Sequence, residues 1–596
     1  MHRFFIAALK FAAQCPRYRS VLAVFGVLSS VSVYWLTPSS VAVDFVRHFG
    51  YWFTFFAFVG LLFYVSRISK IQQYGRLKAH VRRHIWGLCS VLVFGGFVMF
   101  SHVNFGPKVM MDEEVLSATA KSMHEHREVY TLTYGRTIFE RFDRYEGYVD
   151  KRPWMYPFAV SLLHDVTGYR LQNPYILNAC IGLAMLAALY LLGNLLAGRS
   201  GAILLPALWI TLPLFHQSAS GAGMDLLNVF LLVLVVIAAI CYLRRLDASW
   251  EGLLALLGVL LAYSRYESVI FLPLVGAIII WGWFRRGSAI LSWGVVLAAP
   301  LLIGLVLQNK FFVDGEERWE LHSGATKPFG LENIPENLVG AYDFYFHTGD
   351  HYANSLFLSI VGAVAICLLG IYFFRNFRSL FTVRIEHGVA CLTGVFCCLH
   401  FLIILLYHDG RLDMLFASRF SLPFYLLMGI SAVVVLSQVT QKVLVMRSLV
   451  AGATVFVIGF TIPMNAKAVF THRNFVTRQI NWVDDILSAE AQQRSMIIDA
   501  YSLSWTLREY SSISPAVAVA NIERLANSFK VKRFAEMYLV DVAQLEVKTG
   551  SWERRLVSQM PLEKFDLELL GQRSFKPFTV VRLYRINGFQ IADSVE

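Results

Sequence analysis

Three consecutive carboxylates follow an apolar segment, in the run Met111-Asp112-Glu113-Glu114. A carboxylate can take a proton from a hydroxyl, orient a substrate or bind a hard cation. The alternative is a helix start, because Asp is a good N-cap and acidic residues are favourable in the first turn. The stretch up to Met123 has the pattern of an amphipathic surface helix. Asp112 and Glu113 are therefore candidates for chemistry or for starting this helix.

A basic pair lies further along the same polar segment, in Asp150-Lys151-Arg152-Pro153-Trp154. Basic groups next to aromatic residues can hold a phosphate at the depth of the lipid head groups, where aromatic side chains are also favoured. The alternative is an interfacial anchor whose long basic side chains extend to water. Lys151 and Arg152 therefore indicate either a phosphate site or an anchor.

Three further charged residues border or interrupt apolar segments. Asp225 opens a long apolar run, where an unpaired carboxylate deep in a bilayer would cost roughly 2.5–3.5 kcal/mol. Arg265 interrupts another run, and Arg419 stands at a predicted helix start, where its charge opposes the helix dipole. The alternatives are a helix cap for Asp225 and a local pair with Glu267 for Arg265. Arg419 favours the binding of an anion.

The composition indicates what must position these residues. The chain has 596 residues, of which 56% are hydrophobic and 16% charged, whereas soluble domains are about 25% charged. Apolar runs of roughly 18 or more residues, long enough to cross a bilayer, recur along most of the chain. The net charge is +12, and the basic residues lie mostly in short connections between these runs, as topology signals do. We therefore expect a polytopic membrane protein and exclude nucleic acid as a partner.

Thirteen membrane spans account best for the apolar runs and for the basic connections between them. With the N-terminus inside, this number puts the basic connections, such as 67–84, on the cytoplasmic side. The weakest prediction is the pair 252–264 and 267–284, which could be one kinked helix. The predicted spans lie near residues 20–37, 51–66, 85–101, 174–197, 201–216, 225–243, 252–264, 267–284, 288–306, 354–374, 388–407, 420–438 and 446–463.

The same topology places the candidate residues on the external side, in the first external loop 102–173, at the turns 216–224 and 264–267, and in the loop 408–419. The loop 307–353 and the C-terminal tail are external as well. After residue 466 the apolar runs shorten to strand length, at 496–498, 517–519, 537–540 and 579–581. Amphipathic stretches such as 521–529 lie between them, which predicts a small α/β domain outside the membrane.

The order of these motifs resembles the GT-C class of membrane glycosyltransferases, in the branch of the protein O-mannosyltransferases and the bacterial lipid A aminoarabinose transferases. That family has an Asp-Glu pair opening its first large external loop, like Asp112-Glu113, and an acidic residue opening a later span, like Asp225. The further similar segments are Lys151-Arg152-Pro153-Trp154-Met155-Tyr156, Leu163-His164-Asp165-Val166-Thr167-Gly168, the external Arg265, and Arg419-Phe420-Ser421-Leu422-Pro423. The resemblance covers roughly residues 85–465. Two spans precede the family's usual first helix, and Arg152 replaces a proline of the family motif.

The topology, the composition of the tail and the resemblance together predict the fold class: an all-α polytopic membrane domain of about 13 transmembrane helices, GT-C-like, with a small C-terminal α/β extracytoplasmic domain. We expect residues 1–84 to hold two extra helices and a basic cytoplasmic loop. Residues 85–465 then form the catalytic membrane domain, and residues 466–596 the soluble domain. The absence of an N-x-[ST] sequon in the external segments favours a bacterial inner membrane.

The resemblance also implies a polyprenyl-phosphate sugar as donor and a single inverting displacement at the outer face of the membrane. The acceptor would be a hydroxyl of a glycan, a lipid or a protein. Asp112 would be the base, and Glu113 or Asp225 would orient it or hold a divalent ion, Mg²⁺ or Mn²⁺, for which Asp112 and Asp225 are the candidate ligands. The candidates for binding the donor phosphate are Lys151, Arg152, Arg265 and Arg419.

Other classes of protein remain open from the sequence. A transporter or flippase of lipid-linked or small substrates would show inverted halves and discontinuous helices, and the sequence has no such symmetry. A polymerase or ligase of lipid-linked glycans would share the donor chemistry. A structural protein would not need Asp112, Asp225 and Arg419 to converge in space.

We predict that reporter fusions after residues 130 and 410 will give external signals and that a fusion within 67–84 will give a cytoplasmic one. The physical reason is the retention of basic connections on the cytoplasmic side. Paired alkaline phosphatase and fluorescent-protein fusions measure this. Opposite sides for Asp112 and Arg419 would rule out a shared site.

Overall fold

The computed structural model describes residues 17–71, 74–101, 103–138, 141–314, 327–349, 352–470, 475–487, 495–547, 554–558 and 560–590. Residues 315–326 and 350–351 of the predicted loop 307–353 lie outside these ranges.

Helices make up the first three quarters of the chain. Up to the middle of the membrane region they are α1 (Arg17–Leu36), α2 (Ser39–Ile71), α3 (Tyr74–Phe100), α4 (Met110–His126), α5 (Met155–Thr167), α6 (Asn173–Ile210), α7 (Pro213–Ser220), α8 (Asp225–Arg245) and α9 (Ala248–Ala262). They continue as α10 (Phe271–Arg286), α11 (Trp293–Leu301), α12 (Ile303–Asp314), α13 (Ile334–Phe346), α14 (Leu356–Thr382), α15 (Ile385–Leu406), α16 (Leu422–Ser437), α17 (Lys442–Phe456) and α18 (Ile462–Phe470).

Ten of the helical segments in the described ranges are long and apolar enough to cross a bilayer. Two shorter apolar helices, His84–Phe100 and Ala248–Ala262, accompany them. The chain is therefore an integral membrane protein, as its composition predicts. The number thirteen for the spans stays a prediction.

The doubtful pair of spans forms two helices. Helix α9 ends at Ala262, and a 3₁₀ turn, Tyr266–Ile270, leads into α10. Arg265 has an extended backbone between them, so the interruption that the sequence places here is a real break in the helix.

The longest helix, α6, is folded back on itself. Ala197 and Gly198 depart from helical geometry, and Gly198 has φ +67°, a conformation that glycine adopts without strain. A Cβ added to Gly193 would overlap the carbonyl of Gly201, and one on Gly201 would overlap the carbonyl of Gly193. The two halves of α6 therefore pack backbone to backbone, and this close approach requires glycine on both sides.

The first large loop contains a β-hairpin in addition to α4 and α5. Its strands, β1 (Thr131–Ile138) and β2 (Arg141–Tyr148), pair antiparallel. The sequence analysis did not predict these strands.

The C-terminal region is a six-stranded mixed sheet with helices against it. Its helices are α19 (Phe475–Ile486), α20 (Ser502–Leu507), α21 (Pro515–Ala520) and α22 (Ile522–Lys530). Its strands are β3 (Ser495–Ile498), β4 (Ser511–Ile513), β5 (Glu536–Val547), β6 (Arg554–Ser558), β7 (Phe565–Lys576) and β8 (Thr579–Phe589). The order is β4-β3-β5-β8-β7, with β6 paired to β5. Strands β3, β4 and β5 are parallel, and the other pairs are antiparallel.

Three of the four predicted strand segments lie in β3, β5 and β8. The strand predicted at 517–519 is wrong, because these residues are in α21. Ser514 caps that helix by accepting a hydrogen bond from the Val517 amide, and Pro515 occupies the first turn. Ser followed by Pro is a helix-start signal, and it outweighs the strand preference of two valines.

We predict that Gly193→Ala will destabilise the protein by about 1–3 kcal/mol, the usual cost of overpacking, because its methyl group would overlap the facing backbone. Thermal unfolding in detergent measures the loss. The matched control is Gly276→Ala in α10, where an added Cβ meets open space. Equal melting temperatures for the two variants would contradict the backbone-to-backbone packing.

Candidate active site at the helix ends

Charged side chains from five separate segments meet at one place. Asp112 comes from the first turn of α4 and Arg152 from the turn before α5, while Asp225 is the first residue of α8. Arg265 precedes the 3₁₀ turn that leads into α10, and Arg419 lies in the short 3₁₀ turn that leads into α16. These residues are far apart in the sequence, so only the fold brings them together.

Arg152 joins two carboxylates. Its Nη1 atom donates to both oxygens of Asp150, at 2.9 Å each, and its Nε atom donates to Asp112 Oδ1 at 2.9 Å. The backbone amide of Arg152 also donates to Asp150, at 2.8 Å. The local turn therefore aims the guanidinium at Asp112.

Two more arginines continue the series. Arg419 Nη2 pairs with Asp112 Oδ2, and Arg419 Nη1 lies 3.5 Å from Asp225 Oδ2. Arg265 pairs with Asp225 Oδ1 and with Glu267 Oε1. The result is a continuous series of alternating charges, which we call the ion-pair chain: Asp150, Arg152, Asp112, Arg419, Asp225, Arg265 and Glu267.

The ion-pair chain is shielded from solvent, with side-chain exposures of 17% for Asp112, 10% for Arg419, 7% for Asp225 and 4% for Arg265. Burial by itself would raise the pKa of Asp112. The positive charges of Arg419 and Arg152, and the hydrogen bonds that they donate, outweigh burial and hold that pKa well below its usual range. Asp112 is therefore ionised at neutral pH.

The alternative roles from the sequence can now be compared with the geometry. Asp112 does not cap α4, because Val109 is the N-cap residue and no side chain caps there. Asp225 likewise makes no cap hydrogen bond at the start of α8. Arg265 does form the local pair with Glu267, and it pairs with Asp225 as well.

The Glu113 carboxylate lies beside the ion-pair chain, in the lining of the same small cavity as Asp225 and Arg419, and is bound by a backbone turn. It is 4% exposed and accepts hydrogen bonds from the backbone amides of Lys108 and Val109. A glutamate that reaches back in this way resembles the capping box that starts many helices. Glu113 thus holds the turn before α4. Lys151 lies half-buried next to Arg152.

Three buried amide side chains hold the turns that carry the charges, and the sequence analysis missed all of them. Gln308 of α12 donates to the carbonyls of residues 150–152, at 3.0–3.4 Å. Asn178 of α6 donates to the carbonyls of Gly221 and Gly223, just before Asp225. The third, Asn228 of α8, donates to two serines that flank Arg265. The sequence signal that could have identified these residues is an amide side chain within an apolar span.

A divalent ion does not fit the carboxylates that the sequence analysis assigned to it. Asp112 and Asp225 are each paired with two arginines, so two positive charges already stand where an ion would have to bind. Among the described residues, no group of three or more His, Cys, Asp or Glu is arranged to hold a metal. A metal site therefore stays a prediction, and no ligands for it can be named among the described residues.

A cavity of about 30 Å³ lies against Asp225 and Arg419 and is also lined by Lys108, Glu113 and Gly223. An anion that bound Arg152 or Arg419 would compete with the carboxylates that hold these arginines.

On the opposite face of α4, Glu114 points toward the C-terminal region, and Ser504 of α20 donates a hydrogen bond to it. Burial raises the pKa of Glu114 to about 8, with Arg508 opposing the rise and Asp499 and Glu113 adding to it. Glu114 is therefore largely protonated at neutral pH.

No known protein family matches this chain, and no curated protein matches it in sequence. Solved structures do match. ArnT from Cupriavidus metallidurans bound to undecaprenyl phosphate is 12% identical with a TM-score of 0.52, and the match covers 84% of this chain and 97% of ArnT. The same protein in the apo state is 12% identical with a TM-score of 0.48, over 85% and 98% of the two chains. The Archaeoglobus fulgidus oligosaccharyltransferase in the apo form is 12% identical with a TM-score of 0.43, over 76% and 69%.

The match to ArnT with bound lipid is the one that shows the fold. The predicted fold class, an all-α membrane domain of the GT-C type with a small C-terminal sheet region, is confirmed.

We predict that protein stability will fall as the pH rises from about 4.5 toward 8 and that Glu114→Gln will flatten this fall. The folded pKa is raised above the ordinary 4.5, so the unfolded chain releases its proton first. The stability that the raised pKa of Glu114 contributes is complete below pH 4.5 and is lost as the pH rises from 4.5 to 8. Melting temperatures from pH 4.5 to 8 measure it. Glu523→Gln is the control, and equal slopes for wild type and Glu114→Gln would contradict the prediction.

Proposed function

We propose that this protein is a glycosyltransferase that moves a sugar from a polyprenyl-phosphate donor to an acceptor hydroxyl at the outer face of a bacterial inner membrane. The observation that supports it most directly is the ion-pair chain, in which a largely shielded carboxylate, Asp112, lies between two guanidiniums. Those are the groups that a phosphate leaving group and a hydroxyl nucleophile require together.

The reaction needs one base and fixed positive charge. Asp112 takes the proton of the acceptor hydroxyl while the hydroxyl oxygen forms a bond to the anomeric carbon of the sugar. The bond from that carbon to the phosphate oxygen breaks, and the polyprenyl phosphate leaves with the electron pair. A phosphate leaves without a proton, so the second carboxylic acid of a glycosidase is not needed. The displacement inverts the anomeric carbon.

Arg152 and Arg419 are the groups that we assign to the leaving phosphate, with Arg265 and Lys151 as further candidates. A guanidinium presents a planar fork of donors that matches phosphate oxygens. Developing negative charge is stabilised most by donors fixed in a site without water. Asp225 holds Arg419 and Arg265, and Glu113 holds the turn before α4. Both are positioning residues in this proposal.

Donor binding also activates the base. Without donor, Arg152 and Arg419 depress the pKa of Asp112, and a carboxylate with a low pKa is a poor proton acceptor. A phosphate that draws the guanidiniums toward itself weakens both ion pairs and raises that pKa. Asp112 therefore becomes a better base only when the donor is in place.

The structural neighbour supports the choice of donor. The ArnT structure that shows the fold contains undecaprenyl phosphate, a polyprenyl phosphate. The positions of the charges favour this proposal over the transporter alternative, because Asp112, Arg152, Asp225, Arg265 and Arg419 lie in turns and at helix starts.

We predict that Asp112→Asn will lower kcat for sugar transfer by about 10²–10⁴, the usual contribution of a general base, with a smaller change in the KM for the donor. Arg419→Gln will raise the KM for the donor and lower kcat, because the phosphate loses a bidentate partner. Transfer from a synthetic polyprenyl-phosphate sugar in detergent measures both.

Asp485→Asn, an exposed substitution in α19, is the control and will match wild type. Near-normal turnover by Asp112→Asn would remove Asp112 from the role of base. If wild type transferred sugar from none of the polyprenyl-phosphate donors supplied, the proposed function would be overturned.

A further inference from the structure

A groove of about 450 Å³ lies between α3, the second half of α6 and α17. Its volume is within the range of about 300–1,000 Å³ that ligand pockets occupy. Trp86, which lines it, is 83% exposed, while Gly87 and Ala207 contribute little bulk to its walls. All three walls belong to apolar helices of the membrane region, so the groove opens toward lipid.

The hydroxyls in the wall of this groove are satisfied within their own helices. Ser90 donates to the Trp86 carbonyl at 2.8 Å, and Thr454 donates to the Val450 carbonyl at 2.9 Å. The remaining lining residues are aliphatic, aromatic or glycine. A polar ligand would lose its hydrogen bonds to water here without replacing them. The groove therefore suits a hydrocarbon chain.

The groove follows the helix axes for most of one leaflet of a bilayer. Its lining extends from Trp86 to Phe94 on α3 and from Ile203 to Ile210 on α6. At a rise of 1.5 Å per residue each of these walls is roughly 10–12 Å long. Half of a bilayer core is about 15 Å. The length is therefore that of an acyl chain from one leaflet.

The reversal of α6 at Ala197 and Gly198 marks one end of the groove. This end lies away from the ion-pair chain, because Asn178, near the start of α6, bonds to the turn before Asp225. Arg199 follows the reversal directly. The topology predicts that this end is cytoplasmic.

A basic residue lies three or four positions before the groove on each of its three walls. The pairs of basic and lining residues are His84 and Gly87 on α3, Arg199 and Ile203 on α6, and Arg447 and Val450 on α17. Residues three or four apart share one face of a helix. Each wall therefore carries a basic side chain one turn below its lining.

The three walls run in the same direction, so these basic residues lie at the same end. Beyond the other end, Thr461 donates to the Thr211 carbonyl at 2.8 Å, and a Cβ on Gly95 of α3 would touch Ile210 of α6. At the basic end, His84 Nδ1 lies 3.3 Å from the Tyr190 hydroxyl.

The two arginines at this end are accessible to a ligand. Both Arg199 and Arg447 are exposed. Within the part of the chain that the structure describes, no acidic side chain pairs with either of them. An anion could therefore bind them without displacing a carboxylate, in contrast to the arginines of the ion-pair chain.

We propose that this groove binds an anionic phospholipid, with one acyl chain along α3, α6 and α17 and the phosphate between Arg199 and Arg447. Topology alone explains positive charge on this side of the membrane, but not its alignment one turn below each wall of a groove. Basic pockets between membrane helices on the cytoplasmic side are suited to anionic head groups. The inference is independent of the proposed function, because the groove does not include the ion-pair chain.

Trp86 makes occupancy of the groove measurable. The protein is reconstituted in phosphatidylcholine bilayers that contain a minor fraction of brominated phosphatidylglycerol or, separately, the same fraction of brominated phosphatidylcholine with identical acyl chains. Bromine quenches indole fluorescence on contact. The quenching that is lost in Trp86→Phe is the share of Trp86 and separates it from that of the other tryptophans.

We expect the anionic lipid to quench Trp86 at least fivefold more effectively than the zwitterionic one, because each basic residue near a membrane surface favours an anionic lipid roughly fivefold. Arg199→Gln combined with Arg447→Gln should lower this preference at least fivefold. Arg67→Gln combined with Arg375→Gln, at exposed positions of α2 and α14 that do not line the groove, removes the same charge and should leave the preference unchanged. An equal preference in the two double variants would overturn the proposal.

A second pair of variants tests whether the acyl chain lies in the groove. Ala207→Phe fills it, and Val93→Phe adds a ring to α3 at a position that is 74% exposed and does not line it. We expect Ala207→Phe to lower the quenching of Trp86 by phosphatidylglycerol at least threefold and Val93→Phe to leave it unchanged. Unchanged quenching in Ala207→Phe would confine the lipid to the surface and overturn the proposal. If Ala207→Phe does not fold, the arginine variants decide, since they alter exposed side chains only.

Wild type alone distinguishes the other occupants. Equal quenching by the two brominated lipids would make the groove an unselective lipid-facing surface. Absence of quenching by either lipid would mean that protein, such as a second copy of this chain, covers Trp86. Both results would overturn the proposal.

Discussion

Burying seven charged groups together is the constraint on which the rest of this structure depends. A charge removed from water is stable only when opposite charges surround it closely, and removal of one partner from a buried pair commonly costs about 3–5 kcal/mol. Asp112, Arg419 and Asp225 each have opposite charges on two sides. The alternation is complete only while five segments of the chain hold their mutual positions, so the ion-pair chain and the helix ends stabilise one another.

Much of the remaining structure keeps α4 in place. On its outer face, Ser504 bonds to Glu114 and Lys121 pairs with Glu509 at 2.7 Å. The hydroxyl of Tyr169 donates to the carbonyl of Leu507 at 2.7 Å and ties the end of the first loop to the same short helix, α20. The C-terminal sheet region therefore braces the helix that carries Asp112.

The same guanidiniums that neutralise the acids are the groups best suited to a phosphate. Carboxylates hold each of these arginines, so an anion would bind the arginines only in competition with them. The Phe420 ring lies 4.7 Å from the Arg265 guanidinium and stabilises that cation by a cation–π contact. Charge balance is what defines this centre.

The sequence by itself determined the membrane character, the helical class, the C-terminal sheet region and the candidates Asp112, Asp225, Arg265 and Arg419, because charges bordering long apolar runs are costly and therefore conspicuous. Only the tertiary structure decided that Glu113 faces a backbone turn, that Gln308 holds residues 150–152, and that 517–519 are helical. Partner choice for a buried polar group depends on segments distant in sequence. Apolar periodicity predicts that a residue is buried, but it does not predict which residues the side chain contacts.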